Sequence, residues 1–143
     1  SALAWIAALH LWNDSLDAAH DIVQHVHSPT GSALHGIMHR REGDYDNAKY
    51  WFRLAGDHPA YHGLYARAAE LLREARRAGG PLAEALHTLG GQGVWNPYLF
   101  VDAVRMQEAT VGGGGDRDTL ERLQQLELEA LLRYAEGRIA LQQ

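Results

Sequence analysis

The chain has 143 residues, 46% of them apolar, enough for one globular domain with its own core. Its net charge is −5 with no basic block, which argues against nucleic acid as the main partner. It has no cysteine, so disulfides and thiolate metal sites are excluded, and no apolar run approaches the ~20 residues that span a bilayer.

Helical periodicity dominates, and no alternating run of β-branched residues signals a strand. The spacing predicts a first helix over about 2–12. Its apolar stretch lacks a basic leader and contains His10, so it reads as a core helix rather than a signal peptide, and a cytoplasmic location is the default. A second helix is expected over about 15–27, capped by Asn13, Asp14 or Ser15. The segment SPTGS (28–32) reads as a turn and helix start, and a third helix follows over about 32–42. Gly43 and Asp44 break it before a fourth over about 45–56. Pro59 opens a fifth that reaches about 78, with a break near Gly63. Gly79-Gly80-Pro81 precedes a short helix over 82–89, Asn96-Pro97 caps one over 97–110, and Asp116 or Asp118 opens a last helix to about 141. The four glycines 112–115 read as a flexible loop before that last helix. The expectation is a single all-α domain over 1–143, with six to eight helices and antiparallel helical hairpins near the N-terminus.

Residues 30–59 resemble a tetratricopeptide-repeat hairpin. Gly36 stands where that repeat places a small residue between its helices, Gly43-Asp44-Tyr45-Asp46 matches the turn, and Ala48, Phe52 and Ala55 match the second helix. Ala48, Trp51, Phe52 and Ala55, at i, i+3, i+4, i+7, also form one buried stripe on helical geometry alone. Ser32, His35 and His39 depart from the large apolar residues of the repeat's first helix, and Pro59 falls one residue early. A gapless shift of 29 aligns Ala4, His10, Asp17 and Ala19 with Ala33, His39, Asp46 and Ala48, a faint echo short of the period of 34. The whole chain is also similar to a family of uncharacterised bacterial and fungal proteins. The matching stretches are WNDSLDAAH (12–20), PTGS (29–32), HGIMHRREGDYDNAKYWFR (35–53), HP (58–59), WNPYLFVD (95–102) and LQQLELEALL (123–132), about half of the chain. That resemblance implies relatives but no activity.

The polar residues around the hairpin are the best candidates for chemistry. On a helix over 32–42, His35, His39 and Glu42 line the edge of an apolar arc made by Leu34, Ile37, Met38 and the stem of Arg41. Imidazoles four apart can share a metal ion with a carboxylate one turn on, or act as general base and orienting partner, or pack as hydrogen-bonded histidines. His58 and His62 repeat the spacing, with His58 as a helix-start residue or as a second wall facing His35 and His39. Arg40, Arg41, Arg53 and Lys49, the only lysine, cluster at the turn. They read as a self-paired surface or an anion clamp. Tyr50 falls off the buried stripe and suits a pocket wall. On the last helix Gln124, Glu127 and Tyr134 form a narrow polar strip, and a buried Glu127 must meet a partner such as Arg41 or a hairpin histidine. No P-loop, dinucleotide fingerprint or nucleophile elbow is present.

Three functions are consistent with this pattern. The first is a small-ligand-binding domain for a polar or anionic molecule, with His35, His39, Lys49, Tyr50, His58, Glu127 and Arg41 as ligand-binding candidates. The second is an enzyme, metal-assisted through His35, His39 and Glu42, with a divalent metal admitted but no cofactor required. The third is a tetratricopeptide-like module for a protein partner. Neither nucleic acid nor membrane is an expected partner.

Overall fold

The computed structural model describes residues 6–7, 27–75, 79–109 and 117–142. Among the described residues there are six helices and no strand: α1 (Pro29–Arg41), α2 (Tyr45–Ala55), α3 (Ala60–Glu74), α4 (Pro81–Gly90), α5 (Pro97–Ala109) and α6 (Arg117–Gln142). The protein is all-α, as the periodicity predicts. Apart from the helical Ile6 and Ala7, the first expected helix lies outside the described residues, as does the second up to residue 26. The glycines 112–115 lie outside them too.

Helix starts follow their capping residues. α1 begins three residues earlier than the periodicity suggests, because Ser28 accepts a hydrogen bond from the Gly31 N–H (3.1 Å) and Pro29 fits the first turn. Asn96 caps α5 as expected, its Oδ1 accepting from the N–H groups of Tyr98 and Leu99 at 3.1 Å each. α3 runs through Gly63 without a break and ends at Glu74, where Ala75 turns extended.

Helices α1 and α2 pack against each other as a hairpin. Its turn closes with two nested bonds: the Gly43 N–H donates to the Arg40 carbonyl (3.1 Å) and the Asp44 N–H to that of His39 (2.9 Å). This C-terminal motif needs a left-handed residue, and Gly43 supplies it at φ +81. The helices approach closely because Gly36 has no side chain. A Cβ there would sit 2.7 Å from the Phe52 ring.

Two apolar clusters result. One joins Leu34, Ile37 and Met38 of α1 with Ala48 and Phe52 of α2, Val101 of α5, and Leu128 and Leu131 of α6. The other joins Leu64 and Leu72 of α3, Leu86 and Leu89 of α4, Phe100 of α5, and Leu120 and Leu123 of α6. Helices α5 and α6 therefore serve both clusters, and the seam between the clusters carries the buried Arg40 and Glu127.

Candidate functional site

Arg40 occupies that seam. On the α1 wheel it follows Ala33 and Ile37 at i+7 and i+3, the fully buried face, and it is 1% exposed. Its guanidinium forms a two-pronged pair with Glu127, Nη1 to Oε2 at 3.1 Å and Nη2 to Oε1 at 2.6 Å. Nε and Nη2 also donate to Gln124 Oε1, at 3.3 and 2.8 Å. The guanidinium plane is flanked by Phe52 (5.8 Å to the ring centroid) and Phe100 (4.6 Å), one ring from each apolar cluster. Glu127 is fully buried, as its place on the last helix suggests, but its partner is Arg40 rather than Arg41 or a histidine. The expectation of a self-paired surface or an anion clamp does not fit Arg40, which is buried. The signal that corrects it is its position on the Ala33–Ile37 stripe.

The histidines do not converge. The His35 ring lies flat on Trp51, with centroids 3.9 Å apart and planes at 11°. His39 continues the stack at 6.1 Å and turns its Nδ1 toward Glu42 (3.6 Å) and Asp44 (3.9 Å) at the turn. Such nearly parallel rings direct their in-plane lone pairs side by side rather than at one point. Among the described residues no group of three or more His, Asp or Glu is placed to hold a metal ion.

His58 is buried elsewhere, at the start of α3. Its Nδ1 accepts from the Ala60 N–H (3.0 Å), which puts the ring proton on Nε2, where it is donated to Thr30 Oγ1 at 2.8 Å. The ring meets Tyr134 of α6 edge-on at 4.6 Å. Burial pushes the His58 pKa below the usual imidazole value, against a smaller opposing pull from Asp57. His62 is exposed beside Asp57. Tyr61 is buried next to His58, and its hydroxyl has no hydrogen-bond partner among the described residues. Burial first, then the nearby charge of Glu127, pushes that phenol far above its ordinary range.

Lys49 is paired with Asp102 of α5 at 2.7 Å, tying the hairpin to the rest of the domain. Tyr50 is half exposed on the outer side of α2. The structure therefore distributes the seven ligand-binding candidates. His35 and His39 stand on one hairpin edge, His58 at the start of α3, Lys49 and Tyr50 on α2, Glu127 in the seam, and Arg41 at the turn.

Beside the turn lies a cavity of about 560 Å³, between the end of α1, the second half of α5 and the first turns of α6. Of the expected residues, Arg41 and Glu42 border it. The others bordering it include Tyr45, Gln107, Glu108 and Gln124. Gln107 is 5% exposed, and its carboxamide makes no hydrogen bond among the described residues. It escaped the sequence reading, although it follows Phe100 and Ala103 on the buried face of α5. Tyr45, partly buried on the cavity wall, has its phenol pushed up by burial and then by Glu108, with Arg105 opposing. With three arginines and three glutamates on its border, the cavity is polar and formally neutral.

No protein-family model, curated protein or solved structure matches the chain.

Proposed function

We propose that the chain is a small-ligand-binding domain whose polar pocket is the cavity beside the hairpin turn. The observation that carries this reading is Gln107. Gln107 is 5% exposed, makes no side-chain hydrogen bond among the described residues and borders the cavity, so its carboxamide has hydrogen-bonding capacity that no neighbour uses. A molecule seated in the cavity can take up those hydrogen bonds, each worth about 0.5–1.5 kcal/mol, without displacing a protein partner. The cavity's volume is within the usual range of small-molecule sites, about 300–1,000 Å³. The histidine edge contributes to the architecture of the hairpin, and the ligand-facing role passes to Arg41, Gln107 and Gln124.

The test is a thermal-shift screen of chemically diverse polar metabolites, followed by NMR of the side-chain amides. A ligand should raise the melting temperature and move the Gln107 and Gln124 NH₂ resonances. Gln107→Leu should abolish both effects without unfolding the protein. Hits that move only other resonances would remove the reading.

One observation favours the tetratricopeptide-like module as a second reading. Tyr50 (49% exposed) and Leu54 (53%) stand one turn apart on the outward face of α2. In that case Tyr50→Ser/Leu54→Ser abolishes binding to a defined protein partner and leaves the melting temperature unchanged. Retained binding by this variant counts against it.

A further inference from the structure

The amides of the cavity have a direction. A guanidinium only donates hydrogen bonds, so the Gln124 oxygen must face Arg40, from which it accepts twice. The Gln124 NH₂ is thereby turned away from the guanidinium, on a side chain that borders the cavity. Gln107 adds a second carboxamide with its donors unused among the described residues. Two N–H donors of this kind match the two oxygens of a carboxylate.

The rim has the opposite character. Glu108 is exposed and has no ion-pair partner among the described residues, whereas Glu121 lies 3.7 Å from Arg117; Glu42 lies 3.6 Å from His39, an ion pair only when that imidazole is protonated. Arg40, for its part, is already neutralised by Glu127 from behind. Counting Arg41 and Arg117 as well, the border's arginines are matched by its glutamates and by Glu127, so a multiply charged anion such as a phosphate ester would bring negative charge with no excess positive charge to balance it. A simple cation would leave the inner amides unsatisfied. A molecule carrying one carboxylate and one ammonium answers both ends, and the cavity has room for more than a single amino acid.

We infer that the pocket takes an α-amino acid or dipeptide, with its carboxylate on the N–H groups of Gln107 and Gln124 and its ammonium beside Glu108. This rests on the ligand-binding reading above and narrows it to one chemical class.

The test is calorimetric titration of the protein-forming L-amino acids and a set of alanine-containing dipeptides. The best ligand is then compared with its des-amino and decarboxylated analogues. The zwitterion should bind at least about tenfold more tightly than either analogue. Glu108→Gln should weaken the zwitterion about tenfold and leave the des-amino acid unaffected. Gln107→Leu should abolish binding of both, and Gln107→Glu, of matching size, should do the same by repelling the carboxylate. Equal affinity for the des-amino acid, an unchanged Glu108→Gln, or no binding by any member of the set overturns the inference. If metabolites of another class move the Gln107 and Gln124 amide resonances, the ligand-binding reading stands without it. If none does, both fall.

Discussion

Arg40 and Gln107 are both polar side chains on buried helix faces, 1% and 5% exposed, and the chain treats them in opposite ways. Around Arg40 every prong of the guanidinium is met, by Glu127, by Gln124 and by the faces of two phenylalanines. Around Gln107 the described residues offer nothing, and a cavity lies beside it. A buried polar group that its own protein satisfies is an element of architecture. One left unsatisfied is where an outside molecule has something to gain. The two share Gln124, so the architectural cluster also orients the cavity wall.

The largest expected effect lies in the satisfied cluster. Arg40→Ala or Glu127→Ala leaves a buried charge without its partner and should cost about 3–5 kcal/mol in urea denaturation. Arg40→Met/Glu127→Leu removes both charges and should recover most of that loss. Single changes costing under about 1 kcal/mol would mean that Arg40 is not held as described.

Gly36→Ala comes next. Its new Cβ meets the Phe52 ring at 2.7–2.8 Å, so the hairpin must open, at about 1–3 kcal/mol. Adding Phe52→Leu should relieve part of the strain, a rescue that equilibrium unfolding would detect.

His58→Gln should cost about 1 kcal/mol near neutral pH through its bonds to Thr30 and Ala60. The larger signal is in the pH profile. The folded pKa lies below the unfolded value of 6.5, so the unfolded chain binds more protons as pH falls through that value. The wild type therefore loses stability as pH drops below about 6.5, down to the folded pKa. The variant should show a flatter profile over the same window, and identical slopes would exclude His58 as a contributor.

Gln107→Leu should have the smallest effect on stability, within about 1 kcal/mol of wild type in either direction, because no hydrogen bond is lost. A loss approaching that of Arg40→Ala would show that Gln107 belongs with the satisfied cluster after all and would erase the contrast.

Much of the fold was legible in the residues themselves. Ser28-Pro29, Gly43-Asp44 and Asn96-Pro97 mark helix ends through local bonding, and local bonding needs no tertiary context. The Ala48–Phe52–Ala55 stripe was visible from helical spacing, whereas the close approach at Gly36 was expected only from the resemblance to a tetratricopeptide hairpin. The candidate site was legible only in part. A count of polar residues drew attention to His35, His39 and His58, but side-chain type does not reveal whether the neighbours of a histidine will be an indole, a threonine or open space. Arg40 and Gln107 look like ordinary surface residues by type, and only their register on buried faces hints otherwise.

By itself, then, the sequence determined the all-helical class, the caps and the hairpin turn, because each depends on interactions within one or two turns of chain. Tertiary structure alone decided that Glu127 pairs with Arg40, 87 residues away, and that a cavity opens where α1, α5 and α6 meet. Those outcomes depend on how three helices from distant parts of the chain pack together, and no local periodicity encodes the space left between them.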